Sequence, residues 1–379
     1  MISFFRGLAL RGLPRNFGNK KVKIKLYNCL NDKERIESEF ALGLGYLKTN
    51  CIGAEIEIVN DRTELTDCDM IGLSAVVEGI TEAIDILKSA SVPVAIGGQC
   101  TLWDGLDDYP FRHIVKGEGE RAMQAIIDGN AERVLSYDNI KDIDTLNYPD
   151  RGRCENIIPI LSSRGCPWNC NFCSSRKYWG KPRYHSADYF CSEVRTMLGK
   201  YPGAKLLYIQ DDLFIANLPR FEEIYELWMK SGFDKQIALS GFVRSNLMTM
   251  NVAVKLKKMG FLSVRFGAES GSNRMLKLMN KQTTVEDHQR CIDICNEIGL
   301  PVCYSMMLYP PGEEPEDRNL TAAFIFGNRG KAWISGNFRF QPFPGTKYYK
   351  GQNVLENDWN IRPPCKLRLF TEEGKANLV

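Results

Sequence analysis

The segment Ile157-Ile158-Pro159-Ile160-Leu161 runs directly into Ser162-Ser163-Arg164-Gly165-Cys166-Pro167-Trp168-Asn169-Cys170-Asn171-Phe172-Cys173. Its first five residues read as a short buried strand. The cysteines that follow, Cys166, Cys170 and Cys173, stand at spacings of four and three. On a helix those intervals would align the sulfurs on one face, but Gly165 and Pro167 favour a loop that can wrap around a metal centre. Thiolates are natural ligands of four-iron, four-sulfur clusters, and a cubane used only for electron transfer takes one protein ligand per iron. Three local ligands would leave one iron open, as catalytic metal sites keep a vacant position. A structural zinc site would need a fourth Cys or His at recognisable spacing, and three incidental core cysteines are the remaining alternative.

Downstream, strand signals recur near Leu206–Gln210, Ile237–Val243, Leu262–Phe266, Cys303–Leu308 and Ile334–Gln341. Helical segments lie between them at Ala187–Tyr201, Phe221–Lys230, Val252–Met259, Thr284–Ile298 and Glu316–Phe326. Counted with Ile157–Leu161, these β/α units predict a partial (β/α)6 barrel of the TIM type over residues 155–345, with its chemistry at the carboxyl ends of the strands. The three-cysteine run would then sit at the active-site edge.

Upstream, Val22–Tyr27, Glu55–Val59, Met70–Ala75, Pro93–Ile96 and His113–Val115 read as strands, and a helical stretch runs through Ser38–Leu47. They predict a doubly wound, Rossmann-like domain over 21–130, so the fold class is α/β throughout. Special turns follow three of those strands, at Ser74, at Gly97-Gly98-Gln99 and at Lys116-Gly117-Glu118-Gly119-Glu120. Glycine lets backbone approach a ligand closely, although tight strand-to-helix turns with acids at a helix N-terminus would look the same. Residues 131–154, with Asp142-Ile143-Asp144-Thr145-Leu146-Asn147-Tyr148-Pro149, lose periodicity and read as a linker. Residues 1–20 form an N-terminal extension and 346–379 a C-terminal segment.

With 379 residues, 44% hydrophobic and 25% charged, the chain reads as an ordinary globular protein, which excludes disordered and fibrous classes. The formal charge of +3 argues neither for nor against nucleic acid. No secretory signal or apolar run of membrane-spanning length is evident, so the expected location is cytoplasmic. Thirteen cysteines, an odd number, argue against a disulfide framework. His288, Cys291 and Cys295 share one helical face, where burial in the core is the commoner outcome than ligation.

The pattern CxxxCxxC with Phe172 before the last cysteine resembles the defining motif of the radical S-adenosylmethionine (SAM) superfamily. The resemblance is nearest to the subgroup with an N-terminal cobalamin-binding-like domain. It extends over Leu42-Gly43-Leu44-Gly45-Tyr46-Leu47, Ile96-Gly97-Gly98 and Lys116–Glu120, then Gln210-Asp211-Asp212-Leu213-Phe214, Arg265-Phe266-Gly267-Ala268-Glu269-Ser270-Gly271-Ser272 and Gln341-Pro342-Phe343-Pro344-Gly345-Thr346. It implies a 4Fe–4S cluster on Cys166, Cys170 and Cys173, whose open iron is chelated by SAM. Electron transfer from a flavodoxin- or ferredoxin-type donor cleaves SAM to a 5′-deoxyadenosyl radical that abstracts hydrogen from an unactivated carbon. It also implies that Asp211 or Asp212 meets the SAM amine, Arg244 its carboxylate and Glu269 the ribose, with Phe172 and Gln341 completing the pocket. Carboxylates bind amines and hydroxyls, and a guanidinium forks onto a carboxylate.

Ser74, Gly97, Gly98, Gly117 and Glu118 are the candidate cobalamin contacts on the same resemblance. The histidine-bearing DxHxxG motif is absent from Cys29-Leu30-Asn31-Asp32-Lys33-Glu34. The domain therefore either holds cobalamin without that ligand or serves as a scaffold. Methyl transfer is the implied outcome, with a cobalamin-independent rearrangement or epimerisation, or an iron–sulfur sensing protein, as the rivals. Tyr309 stands where the family usually has glycine, either narrowing the pocket or simply packing. His185, Cys303 and Tyr304 are candidate hydrogen or proton donors, and nothing in the sequence chooses among them or names the substrate.

Overall fold

The computed structural model describes residues 21–29, 41–152, 154 and 156–356, with the backbone of 368–370 and 376–378. Two parallel sheets organise it. The first contains β1 (Val22–Cys29), β2 (Ala54–Val59), β3 (Met70–Ala75), β4 (Val94–Gly97), β5 (His113–Lys116) and β6 (Val134–Ser136), in the order β2-β1-β3-β4-β5-β6. Helices α1 (Leu42–Asn50), α2 (Ile80–Ser89) and α3 (Gly119–Ile127) connect them. Ile24 and Leu26 pack with Leu44 of α1 and Met123 and Ile126 of α3, whereas Tyr27, Ile71 and Leu73 pack with Ala83 and Ile84 of α2. Both faces of the sheet are thus covered, and β1 is buried or half-buried along its whole length even though it includes Lys23, Lys25 and Asn28. The strand order reverses beside β1, and such a reversal opens a crevice at the carboxyl ends.

β6 comes from the stretch read as linker and pairs with β5. A three-residue edge strand with Val134 and Ser136 exposed leaves no periodicity to read. The proposed first loop lies outside the described residues beyond Cys29, as do Ser38–Phe40 of the expected first helix.

The second sheet contains β7 (Ile157–Ile160), β10 (Leu206–Ile209), β11 (Ala238–Phe242), β12 (Phe261–Glu269), β13 (Val302–Leu308) and β14 (Trp333–Arg339), neighbouring in chain order. A hairpin of β8 (Ser163–Arg164) with β9 (Arg183–Tyr184) and the short α4 (Ser175–Trp179) intervene after β7. Helices α5 (Ala187–Lys200), α6 (Leu218–Lys230), α7 (Met250–Met259), α8 (Asn273–Leu278), α9 (Val285–Glu297) and α10 (Pro315–Gly327) make the crossovers. Sequential parallel order turns every crossover the same way, so the helices collect on one face. Phe190, Trp228, Leu256, Ile292 and Phe324 from five helices pack there on Ile158, Leu207, Leu239, Val264 and Phe266. Local chemistry agrees, with Asn217, Thr249 and Thr284 capping α6, α7 and α9. Each such cap contributes about 1 kcal/mol.

Tyr208, Ser240, Phe242 and Arg265 occupy the opposite, inner face, since Tyr208 aligns with Ser240 and Phe242 with Arg265 across neighbouring strands. Arg151 ties the connecting segment to this half. It donates to the carbonyls of Pro159 (2.6 Å) and Pro149 (2.9 Å) and pairs with Glu193 at 2.5 Å, both side chains fully buried. Gly45 of α1 lies against Asp150, so close that a Cβ would collide with its carbonyl oxygen. No helix among the described residues is long and apolar enough to cross a membrane.

Candidate active site

The residues that introduce the cysteines are held from three directions. Asp211, 1% exposed at the end of β10, accepts at Oδ1 from the Ser162 and Ser163 N–H groups (2.6 and 3.1 Å). At Oδ2 it accepts from their two hydroxyls (2.5 and 2.7 Å). Arg220 of α6 donates to the Ser162 carbonyl at 2.7 Å and to that of His185 at 2.6 Å. Arg164, 4% exposed, reaches back to the first sheet, pairing with Glu118 at 2.6 Å and Glu120 at 2.7 Å. Arg183 adds a second cation to Glu118 at 2.7 Å. Burial works to raise the Glu118 carboxyl, but Arg164 and Arg183 outweigh it and hold it below its ordinary value.

Beyond Arg164 the loop is cradled by the end of α8. The Asn171 N–H donates to the Met279 carbonyl (2.9 Å) and its side-chain amide to that of Leu278 (2.8 Å), while Asn280 donates to the Asn169 carbonyl (2.7 Å). Gly165 has φ +87° and a Cβ there would press on Trp179, so the turn into Cys166 requires glycine. The three thiols feel one another and Asp212 electrostatically; burial raises Cys166, which a metal bond would reverse. Cys166 and Cys170 are half-buried and Cys173 exposed. Among the described residues no three His, Cys, Asp or Glu side chains converge on a single ion. A cubane gives each thiolate its own iron.

Several expected SAM residues gather around this loop. Arg244, 6% exposed, stacks its guanidinium 4.4 Å from the Trp168 ring centre and donates to Asn246 and to the Lys281 carbonyl. Burial lowers its pKa from the ordinary arginine value, with the neighbouring thiols opposing. Glu269, at the end of β12, pairs with Lys281 at 3.0 Å, and the Lys281 ammonium lies 5.6 Å from the Phe172 ring centre. Glu269 has φ +67°, a conformation that costs a non-glycine residue and is concentrated at functional sites. Asp212 is exposed and accepts from Ser175 at 2.6 Å. Gln341 follows β14, half-buried. Asp211 parts company with this group, because both of its oxygens are taken by the two serines. A committed, buried carboxylate has no acceptor left for an ammonium, so Asp212 is the carboxylate available to one.

The carboxyl ends of the two sheets open onto one cleft of about 740 Å³. Ser74, Gly97, Gly98, Gly117 and Glu118 line it from the first sheet; Gln210, Asp212 and Phe242 line it from the second, with Arg164 between. Gly43 and Gly117 face space there, since a Cβ meets nothing within 4 Å at Gly43 and only Asn139 at 3.9 Å at Gly117. Gly98 differs: with φ +95° its hydrogen is needed against the Ala75 backbone, so it serves the fold first. Glu118 likewise is spent on two arginines.

His288, Cys291 and Cys295 are fully buried in the helix-side core, as their spacing suggested. Tyr304 packs in that core too. His185 is fully buried, stacked on Tyr189 at 3.9 Å and bonded to Asp144 at 3.0 Å, and burial lowers its pKa to about 4. Cys303 is buried on β13. Tyr309 does not pack: it is 61% exposed, with φ +58°, at the end of β13. Arg164, Arg220, Glu120 and Lys281 carried no role in the sequence reading. The acids of Lys116–Glu120 were the one available signal, but their partner is 44 residues away or more.

Residues 160–325 match the model of the radical SAM superfamily, beginning at the last residue of β7 and ending within α10. Over those residues the chain carries a radical SAM domain, which together with the methyltransferase-named relatives marks it as an enzyme of radical SAM type, a class that works with a 4Fe–4S cluster, SAM and a reductant. It is similar to an uncharacterized methyltransferase of Pyrococcus horikoshii, 25% identical over 363 residues, covering 83% of this chain and 77% of that protein. It is also similar to the anaerobic magnesium-protoporphyrin IX monomethyl ester cyclase of Rubrivivax gelatinosus, at 23% identity over 64% of this chain and 51% of the cyclase, about half that relative's length. Among solved structures, the radical SAM methyltransferase TsrM from Kitasatospora setae, with cobalamin and a 4Fe–4S cluster bound, matches with a TM-score of 0.71. The identity is 15%, over 87% of this chain and 74% of that one, so the likeness is one of fold.

Proposed function

We propose that Cys166, Cys170 and Cys173 hold the cluster, that SAM lies beside it, and that cobalamin occupies the first-sheet side of the cleft, for methylation of an unactivated carbon. The observation that carries this reading is the shared cleft, with a three-cysteine loop fastened to both sheets. On this reading residues 21–130, extended by β6, form a Rossmann-like cobalamin-binding domain and 155–345 a partial (β/α)6 barrel. Residues 131–154 connect them, with 1–20 an extension and 346–379 a C-terminal segment. The name of the Pyrococcus relative and the ligands of TsrM support it.

When bound, the cluster and SAM supply reductive radical initiation, and cobalamin supplies a methyl carrier. The chain's own residues orient these groups. Arg244 is placed to fork onto the SAM carboxylate, Asp212 to take its amine and Glu269 its ribose hydroxyls, with Phe172 and Gln341 enclosing it. Ser74, Gly97, Gly98 and Gly117 border the cobalamin side, where Gly43 and Gly117 leave room for a large ring; Glu118 fixes Arg164. A flavodoxin- or ferredoxin-type protein serves as electron donor. The cyclase among the relatives favours a second reading, a radical reaction without methyl transfer.

Anaerobic reconstitution with iron and sulfide, followed by measurement of products from SAM with a reductant, tests both. Methyl transfer through a carrier consumes two SAM, giving 5′-deoxyadenosine and S-adenosylhomocysteine together, and both disappear in Cys170→Ala. 5′-Deoxyadenosine without S-adenosylhomocysteine supports the second reading. A cluster-loaded wild type that makes neither overturns both.

A further inference from the structure

Five arginines are buried among the described residues: Arg151, Arg164, Arg220, Arg244 and Arg265. Four have acceptors, namely Glu193 for Arg151, Glu118 and Glu120 for Arg164, two carbonyls for Arg220, and Asn246 with a carbonyl for Arg244. Arg265 is the exception. It is 6% exposed, and the one partner it shows is the ring of Tyr208, 5.8 Å from the guanidinium carbon. Among the described residues no carboxylate is in ion-pair range of it.

The register shows where that cation lies. Arg265 on β12 aligns with Phe242 on β11, and Tyr208 on β10 aligns with Ser240. The side chain therefore crosses β11 on the inner face, passing the level of Ser240, to reach β10. The Ser240 hydroxyl is buried as well and has no hydrogen-bond partner. Tyr208 and Phe242, the neighbours on either side, both line the cleft. A cation only 6% exposed with no anion, and a buried hydroxyl without a partner, are each unfavourable, and the register sets both on the inner face, next to the cleft-lining Tyr208 and Phe242.

We propose that Arg265 and Ser240 form an anion-binding subsite on the inner face of the second sheet, which receives a carboxylate or phosphate group of the substrate. This deepens the reading of the cleft as the substrate site and rests on it. A guanidinium presents a fork of N–H donors to two oxygens of such a group, and the serine hydroxyl donates to one of them. The substrate class is thus an oxyacid whose anionic end anchors it beneath the cluster loop, leaving the carbon to be modified nearer Cys166–Cys173.

The test uses the full chain with its cluster reconstituted. Thermal melting is followed in anion-poor buffer and with inorganic phosphate or acetate, for wild type, Arg265→Met and Ser240→Ala, and SAM binding is measured by dialysis. Arg265→Met is expected to melt at or above the wild-type temperature without added anion. Its apparent affinity for phosphate or acetate is expected to be weaker by about tenfold or more. Ser240→Ala is expected to melt like wild type and to bind the same anion more weakly, which keeps the test open should Arg265→Met fold poorly. The stronger of the two anions identifies the group.

Equal anion responses in wild type and both variants overturn the subsite. So does an Arg265→Met protein that melts lower in every buffer while Ser240→Ala is unchanged throughout, which marks a structural stack on Tyr208. Loss of SAM binding in Arg265→Met also overturns it, because the anion would then be SAM's own carboxylate. An anion response in a wild type that makes no 5′-deoxyadenosine would leave the subsite standing and sink the radical reading instead.

Discussion

Asp211 accepts four hydrogen bonds from two consecutive serines, and this single side chain fixes the backbone two residues before Arg164 and four before Cys166. Its role is to position the loop, and under the proposed function the carboxylate left for SAM is its neighbour Asp212. His185 shows the same priority of structure over chemistry. It is buried without net charge, its pKa depressed to about 4 by burial against an unfolded value near 6.5. Between those values the unfolded chain binds the extra proton, so stability is full above about pH 6.5 and falls as the pH drops towards 4, by about 3 kcal/mol in all. Urea midpoints measured across that range should slope less in His185→Gln than in wild type; parallel slopes would show that His185 titrates normally. Tyr309 is held at φ +58°, in the left-handed region that favours glycine, and an exposed aromatic ring in that conformation is costly. Packing does not explain it.

The loop Ser162–Cys173 depends on elements far away in the chain. Its Arg164 is bound by the β5–α3 turn through Glu118 and Glu120, its Asn171 by the end of α8, and its Ser162 by α6 through Arg220. Removing one partner of a buried ion pair commonly costs about 3–5 kcal/mol, because the other charge stays behind. Arg183 remains near Arg164 in any Glu118 variant, so the loss falls on a site with two cations. Glu118→Gln should therefore reduce iron retention and shift the electron paramagnetic resonance of the reduced cluster. Glu193→Gln, which breaks the equally buried pair with Arg151 away from the loop, should lower stability without moving that signal. A common shift in both, or in neither, would show that Glu118 is structural only.

Over the whole molecule, two sheets with helices on different numbers of faces share one opening. The first is covered on both faces and opens to the cleft at its carboxyl edge, whereas the second has an inner face that its helices leave free. The halves are joined where α1 meets the connecting segment, and Gly45 is the contact that admits no side chain. Gly45→Ala must displace α1 from Asp150, an overpacking expected to cost about 1–3 kcal/mol. A melting temperature unchanged from wild type would show that α1 yields freely at that contact.

Most of the fold was legible in the chain. Strand and helix periodicities located nearly every element of both sheets to within a few residues, because their buried faces repeat at 2 or 3.6 residues. Helices α2 and α3 were not located, and the other pieces that escaped have too few residues to repeat: β6, the β8–β9 hairpin, α4 and α8. The candidate site divides along a different line. The spacing of Cys166, Cys170 and Cys173, with Gly165 and Pro167 forcing a loop, is local, and the sequence by itself determined that loop and the α/β class. Only the tertiary structure decided that Asp211 and Glu118 hold the loop, that Arg164 spans both sheets and that Arg265 lies buried without an anion. Those facts depend on partners dozens of residues distant, brought together by packing, and no pattern along the chain records which charges end up paired.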